Sequence, residues 1–212
     1  MNNPLYSVSM LDQSARMERY YRLHSKIYDA TRWSFLFGRK TMIQRISAIK
    51  QPANILEIGC GTGKNLINLG RAFPYATLSG LDISASMLKV AHQNLGLLAG
   101  RVNLLKTAYD RPLQPERPYN LILFSYSLSM MNPDWNRAIK YAEADLAPGG
   151  LIAVVDFHDS AWPFFKRWMG VNHVRMDGHL LPELEACFRT QTREIHQAYS
   201  GFWEYFLFIG KK

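Results

Sequence analysis

After residue 50, short apolar runs alternate with segments of helical spacing along the chain. The apolar runs are near-continuous, which is typical of strands in a mostly parallel sheet that is covered on both faces. The intervening segments place apolar residues three or four positions apart, which favours helices. The predicted strands are NILEIG, ATLSGLDI, RVNLLKTAY, YNLILFSYSL and LIAVVDFHD, and the predicted helices are GKNLINLGRAF, SASMLKVAHQNLGLL and WNRAIKYAEADL.

Boundary signals support this arrangement. Ser84 is the predicted N-cap of the second helix, because its hydroxyl can accept a hydrogen bond from an unpaired backbone N–H. The APGG segment that follows the third helix supplies the Pro and Gly of a helix stop. The last two segments, FRTQTREIHQA and GFWEYFLFIGKK, predict a hairpin at the end of the chain.

The region before residue 50 has a different pattern, which predicts two helices at about 11–30 and 38–50. We therefore expect two parts: an N-terminal helical cap over 1–50 and a sheet-containing domain over 51–212. In open parallel sheets, ligands bind beyond the carboxyl ends of the strands. The cap is expected to cover that edge.

Composition narrows the class of protein. The 212 residues are 48% hydrophobic and 20% charged, which is typical of a globular domain with a short extension and not of a disordered chain. No apolar run approaches the ~20 residues that cross a bilayer, and the first ten residues do not resemble a secretory signal. Two cysteines, Cys60 and Cys187, form no disulfide framework. We expect a cytoplasmic protein without a metal site.

The net charge of +8, from 25 basic and 17 acidic residues, favours an anionic partner. That partner is either nucleic acid or an anionic membrane surface. Because the basic residues are scattered through predicted helices and no aromatic stacking platform is evident, a nucleic-acid partner is not expected.

The strongest local signal is the segment ILEIGCGTGKN at 55–65. Gly59, Gly61 and Gly63 follow a predicted strand and open a predicted helix. Glycine allows a sharp turn there and a close approach of the backbone to a ligand. Asp82 ends the next predicted strand, nineteen positions after Gly63. Its carboxylate can accept hydrogen bonds from both hydroxyls of a ribose.

Three kinds of cofactor-binding motif were compared with this segment: a phosphate-binding loop, a dinucleotide motif and an S-adenosylmethionine motif. A phosphate-binding loop needs Gly at position 58 and Ser or Thr at position 65, but those positions hold Ile58 and Asn65. A dinucleotide motif needs its third Gly at position 64, which holds Lys64. S-adenosylmethionine (SAM) has no phosphates, and it needs a close backbone approach and an acid for its ribose. Glu57 completes the matching pattern E-x-G-C-G-T-G, so SAM is the predicted cofactor.

The glycine motif, Asp82, and LAPGG before LIAVVD together resemble the class I SAM-dependent methyltransferases over roughly residues 50–210. The resemblance implies an α/β, Rossmann-like sheet of seven strands, with helices on both faces and an antiparallel last strand. It also implies that the glycines line the methionine part of SAM and that Asp82 binds the ribose. Ile83 and Met87 would flank the adenine, and Thr107 and Ala108 would contact its edge. The cofactor-binding residues it implies are Glu57, Gly59, Gly61, Gly63, Asn65, Asp82, Ile83, Met87, Thr107, Ala108 and Ser125.

The acceptor of the methyl group is expected to lie under the cap and the loops after the fourth and fifth strands. Methyl transfer from a sulfonium is an in-line displacement, so the enzyme contributes mainly proximity and alignment. Aromatic faces attract cations, a histidine can take a proton from an amine, and an arginine fork suits a carboxylate. The predicted catalytic and acceptor residues are Tyr21, His24, Tyr28, Arg32, Tyr126 and His158, and Asp159 is a candidate partner of an ammonium group.

Two segments mix aromatic and basic residues: TRWSFLFGRK at 31–40 and SAWPFFKRWMG at 160–170. Trp together with Arg and Lys favours the headgroup level of a bilayer. The alternative is that these aromatic side chains seal the cap onto the sheet.

A narrower resemblance involves the order H-x-x-I-Y-D-x-T-R-W-x-x-x-x-G-R at 24–39. It is similar to the methyltransferase of bacterial betaine-lipid synthesis and to the same module in the fused synthases of algae and fungi. The resemblance implies N-methylation of diacylglycerylhomoserine to the trimethylated betaine lipid, at the inner face of the membrane. Phosphatidylethanolamine, a quinone precursor or another small acceptor stays open, and the sequence predicts no oligomeric state.

Overall fold

The structure is a computed structural model that describes residues 36–171 and 173–212. The helix expected at about 11–30 lies outside the described residues, as do Tyr21, His24, Tyr28 and Arg32. The helix expected at 38–50 is present as α1 (Arg39–Ile49).

Within the described ranges the chain forms seven strands and six α-helices. The strands are β1 (Asn54–Ile58), β2 (Thr77–Asp82), β3 (Val102–Lys106), β4 (Tyr119–Ser125), β5 (Leu146–Phe157), β6 (Arg189–Ala198) and β7 (Trp203–Lys211). The other helices are α2 (Lys64–Ala72), α3 (Ala85–Leu95), α4 (Trp135–Asp145), α5 (Pro163–Val171) and α6 (Leu180–Cys187). Two 3-10 helices lie at Gly96–Arg101 and Leu128–Met130. None of these helices is long and apolar enough to cross a bilayer.

The seven strands form one sheet in the order β3-β2-β1-β4-β5-β7-β6. Strands β1 to β5 are parallel, and β7 is antiparallel to both of its neighbours, β5 and β6. The chain runs from β1 outward to β3 and then returns to place β4 on the other side of β1. This reversal opens a crevice at the carboxyl ends of β1 and β4, where ligands bind in such sheets. The predicted seven-stranded sheet and terminal hairpin are confirmed.

Both faces of the sheet are covered, which explains the near-continuous apolar runs in the sequence. Ala153 and Val155 of β5 belong to a buried cluster that includes residues of α1 and α5. Ile152 and Val154 of the same strand belong to a second buried cluster, which includes residues of α4 and α6. Successive side chains of a strand point to opposite faces, so one strand contributes to both clusters.

The predicted helix boundaries hold, with one refinement. Ser84 Oγ accepts a hydrogen bond from the Met87 N–H at 3.3 Å, which confirms the predicted N-cap of α3. Helix α4 ends at Asp145, two positions before the predicted stop begins at Ala147. The APGG segment itself belongs to β5, where the pairing with β4 shifts in register and Gly149 has φ +68°. The sequence did not predict α5 or α6.

Candidate active site

The glycine segment forms a sharp bend between β1 and α2. Gly59, Gly61 and Gly63 have φ angles of +72°, +52° and +77°, a region that L side chains rarely adopt. A Cβ atom at Gly59 would lie 2.6 Å from the Cβ of Ser127, whereas a Cβ at Gly61 would meet no atom within 4 Å. The bend is therefore packed closely at its first glycine and faces open space at its second.

Asp82, at the end of β2, links this bend to the start of α3. Its Oδ2 accepts a hydrogen bond from the Gly61 N–H at 2.8 Å, and its Oδ1 accepts one from the Ser84 N–H at 2.9 Å. Burial raises the pKa of the Asp82 carboxyl, while these backbone donors act in the opposite direction. Each carboxylate oxygen has two lone pairs, so the two oxygens can also accept hydrogen bonds from ligand hydroxyls.

Glu57 and Asn65 form a buried pair beneath the bend. Asn65 Nδ2 donates a hydrogen bond of 2.8 Å to Glu57 Oε1. Glu57 Oε2 and Asn65 Oδ1 are buried, and neither has a hydrogen-bond partner in the described part of the chain. Burial raises the pKa of Glu57 from 4.5 to about 7, although Asn65 and the charge of Arg39 lower it. Two acceptor atoms without a donor are suited to the N–H groups of a ligand.

Arg39, the first residue of α1, extends to this site from the N-terminal side. Its Nε donates a hydrogen bond of 3.1 Å to Ser125 Oγ at the end of β4. The segment before it is fixed by Tyr126, whose hydroxyl donates to the Phe37 carbonyl at 2.9 Å. The sequence analysis did not include Arg39 in the site and assigned it only to the segment of aromatic and basic residues at 31–40. A cation here balances the acidic groups around the bend.

The four residues predicted at the adenine lie around the ends of β2 and β3. Met87 is buried in the first turn of α3, and Ile83 is half-buried directly after Asp82. The Thr107 N–H donates to the Asp82 carbonyl at 3.2 Å, so the two strand ends adjoin. Thr107 is exposed and Ala108 is half-buried. The fold thus places these residues at the predicted edge, and their contact with adenine stays a prediction.

On the acceptor side, Tyr126 and His158 follow the adjacent strands β4 and β5. Tyr126 is buried and has a φ angle of +55°. Its ring packs edge-on against that of Phe157, with the ring centroids 4.8 Å apart. Burial raises the pKa of its hydroxyl well above the usual range. Because its hydroxyl binds the Phe37 carbonyl, Tyr126 supports the start of α1, and its direct role in transfer stays a prediction. His158 Nδ1 is buried without a hydrogen-bond partner among residues 36–171 and 173–212.

Asp156, which sequence reasoning missed, anchors the loop after β4. Its carboxylate accepts hydrogen bonds from Ser129 Oγ at 2.6 Å, from the Ser129 N–H at 3.0 Å and from the Phe157 N–H at 2.8 Å. Burial raises the pKa of Asp156 to about 6 despite these donors. The available signal was a single carboxylate inside the apolar run LIAVVDF. Such a residue is expected to be hydrogen-bonded when it is buried.

These features fit SAM better than a phosphate cofactor. The bend faces open space at Gly61, Asp82 has oxygens available for a ribose, and two buried acceptor atoms need donors. Lys64 also stands where a dinucleotide motif needs its third glycine. The sheet order and this site together define a class I SAM-dependent methyltransferase domain, with SAM as its cofactor, as the sequence predicted.

The chain belongs to a methyltransferase-domain family, whose model matches residues 28–201. The match includes α1, which the sequence analysis assigned to the cap. Among curated relatives, the biotin biosynthesis bifunctional protein BioCD of Bordetella avium is 31% identical over 143 residues, which are 66% of this chain and 29% of that protein. The chain thus spans less than a third of that relative.

Two further comparisons extend over more of both chains. The demethylmenaquinone methyltransferase of Staphylococcus aureus is 24% identical over 166 residues, covering 74% of this chain and 68% of the relative. The solved structure of the N-methyltransferase NodS from Bradyrhizobium japonicum, in complex with S-adenosyl-L-homocysteine, is similar with a TM-score of 0.67. It is 21% identical and covers 82% of this chain and 85% of that chain. This likeness shows the fold.

Proposed function

We propose that the protein is a SAM-dependent N-methyltransferase that acts on the amino group of a lipid headgroup. The specific substrate proposed is diacylglycerylhomoserine, which would be converted to the trimethylated betaine lipid. The observation that carries the transferase activity is the bend that is open at Gly61 and held by Asp82. The lipid amine is supported by the resemblance at 24–39 and by the aromatic and basic residues around the acceptor edge.

The residues of the bend would hold the cofactor. Asp82 would accept the ribose hydroxyls, and the oxygens of Glu57 and Asn65 that lack donors would accept from the amino group of the methionine part. Arg39 would hold the carboxylate of that part, because an arginine fork suits a carboxylate. When bound, SAM supplies a methyl group on a sulfonium for direct transfer to a nucleophile.

The acceptor amine must present a free lone pair, so a nearby group has to take its proton. His158 is the described residue best suited to this role, because it follows β5 at the ligand-binding edge and its Nδ1 lacks a hydrogen-bond partner among the described residues. Tyr21, His24, Tyr28 and Arg32 are proposed to complete the acceptor site from the N-terminal side. Asp159 is less suited to bind an ammonium group, since it forms an ion pair with Lys166.

The test is a transfer assay with methyl-labelled SAM and diacylglycerylhomoserine in detergent micelles. Label is expected in the lipid, with mono-, di- and trimethylated products resolved by mass spectrometry. Phosphatidylethanolamine and a soluble amine serve as competing acceptors. Asp82→Ala, which is expected to bind SAM more weakly, is the control with lowered transfer at limiting SAM. Transfer to the soluble amine with no transfer to either lipid would contradict the proposal.

A second candidate function is methylation of a quinone precursor. It is favoured by the similarity to the demethylmenaquinone methyltransferase of Staphylococcus aureus, which extends over 74% of this chain. The same assay distinguishes the two candidates when demethylmenaquinone replaces the lipid. Label in the quinone alone would establish this alternative in place of lipid N-methylation.

A further inference from the structure

Helix α5 is apolar on two sides, which is unusual for a helix at the surface of a globular protein. Phe165 and Met169 face inward and belong to the core beneath the sheet. Phe164, Trp168 and Val171 are 61%, 52% and 80% exposed. Their spacing of four and then three positions places them on one side of the helix, away from the core.

The exposed side of α5 continues onto neighbouring elements. Trp162, just before the helix, is 49% exposed, and its ring centroid lies 5.9 Å from that of Phe164. Phe202 lies in the turn between β6 and β7. Its ring centroid is 6.0 Å from that of Trp162 and 6.1 Å from that of Phe164. We call Trp162, Phe164, Trp168, Val171 and Phe202 the aromatic surface.

The same turn connects the aromatic surface to the active site. Tyr199, in that turn, is 54% exposed, and its ring lies 5.4 Å from that of Phe37. Phe37 precedes Arg39 by two positions, and Arg39 binds Ser125 at the end of β4. The apolar surface therefore extends from α5 to the start of α1, at the edge where the acceptor is expected to enter.

Charge indicates what this surface would contact. Arg167 of α5 and Lys40 of α1 are exposed and make no ion pair within the described part of the chain. Two other basic residues on this side of the protein are neutralised by ion pairs: Lys166 pairs with Asp159, and Arg175 pairs with Asp177. The unbalanced charge is therefore positive, as it is for the whole chain at +8.

We propose that the aromatic surface, with Arg167 and Lys40, docks the protein on an anionic lipid bilayer. Trp and Phe side chains bury apolar area at the headgroup boundary, and adjacent Arg and Lys side chains attract anionic lipids. This inference rests on the proposed lipid substrate, because docking at this edge would bring a headgroup amine to the ends of β4 and β5 without its extraction from the membrane.

The test is sedimentation of the full chain with vesicles of phosphatidylcholine, alone or mixed with phosphatidylglycerol. Binding is expected to the anionic vesicles and to weaken with added salt. Phe164→Ser or Trp162→Ala is expected to lower the binding constant by about tenfold, through loss of one buried aromatic group. Arg167→Glu is expected to weaken binding to the mixed vesicles only. The matched control is Leu97→Ser, which changes a fully exposed apolar residue after α3, toward the β3 edge of the sheet.

Three outcomes would overturn the docking proposal. The first is no binding to anionic vesicles. The second is unchanged vesicle binding in Phe164→Ser together with a lower melting temperature, which would mean that another part of the chain covers the surface. The third is a dimer that dissociates in Phe164→Ser while vesicle binding persists, which would assign the surface to a second copy. Because these vesicles contain no substrate amine, the result is independent of the micellar transfer assay.

Discussion

Asp82 Oδ2 accepts a hydrogen bond of 2.8 Å from the backbone N–H of Gly61, so the end of β2 holds the glycine bend. The other oxygen of the same carboxylate binds the Ser84 N–H, at the N-cap of α3. One side chain therefore fixes both segments that would contact the cofactor. Its proposed contact with the ribose adds to a structural role in the free protein.

Asp82→Ala is expected to weaken SAM binding by about 1–3 kcal/mol, because it removes charge-assisted hydrogen bonds. Isothermal titration calorimetry measures the change. Asp82→Asn retains one acceptor oxygen and is expected to have an intermediate affinity. Glu116→Ala, which removes an exposed carboxylate from another loop, serves as the control. Unchanged affinity in Asp82→Ala would contradict the ribose assignment.

Glu57 is expected to make the stability of the protein fall as pH rises. Burial raises its pKa from 4.5 to about 7, so between these values the folded protein holds a proton that the unfolded chain has released. The free energy of unfolding then decreases across this window, by roughly 3 kcal/mol for this group. Asp156, with its pKa raised to about 6, acts in the same direction.

The measurement is urea unfolding of the wild type and Glu57→Gln at pH 5 and pH 8. Glutamine has no proton to lose, so the variant is expected to lose up to ~3 kcal/mol less than the wild type between the two pH values. The contribution of Asp156 is present in both proteins and cancels in the comparison. An equal loss in wild type and Glu57→Gln would show that Glu57 does not titrate in this window. Glu116→Gln provides a matched exposed control.

Most of the sheet could be predicted from the sequence because its strands are buried on both faces. The run LIAVV needs no contact information to be recognised, since every side chain in it enters one of two cores. Helix α5 gave no such signal. Phe165 and Met169 face the core while Phe164 and Trp168 face outward, so apolar residues show no helical period. Helix α6 could not be predicted for a different reason: it is short, and Pro182 near its start is typical of a turn or loop.

The residues of the short motifs in the site were easier to predict than the residues that reach it through long-range contacts. The glycines and Asp82 lie in two short motifs at strand ends, and position along the chain is enough to place them together. The roles of Arg39 and Asp156 depend on contacts with residues that are distant along the chain. Arg39 meets Ser125 across 86 positions, and Asp156 meets Ser129 across 27. Contacts at such separations have no local signal in a single sequence.

Asp156 is expected to be important for stability because it satisfies three buried donors at once. Asp156→Ala leaves the N–H groups of Ser129 and Phe157 and the Ser129 hydroxyl without their acceptor. It should lower the free energy of unfolding by about 3 kcal/mol, whereas Ser129→Ala, which removes one hydroxyl, should lower it by about 1 kcal/mol. Urea denaturation at pH 8 measures both. A loss in Asp156→Ala no larger than that in Ser129→Ala would show that the carboxylate does not anchor the loop.

Arg39→Ala is expected to weaken SAM binding by about 1–2 kcal/mol, because it removes the proposed cationic partner of the cofactor carboxylate. It is also expected to raise the pKa of Glu57 further, since the charge of Arg39 now lowers it. Arg39→Lys keeps the charge but not the planar fork that binds Ser125, so its affinity should be intermediate. Lys40→Ala, which removes the adjacent exposed cation, is the matched control. Calorimetry at pH 7 compares the four proteins. If Lys40→Ala weakens binding as much as Arg39→Ala, the effect reflects general electrostatic attraction and not a contact made by Arg39.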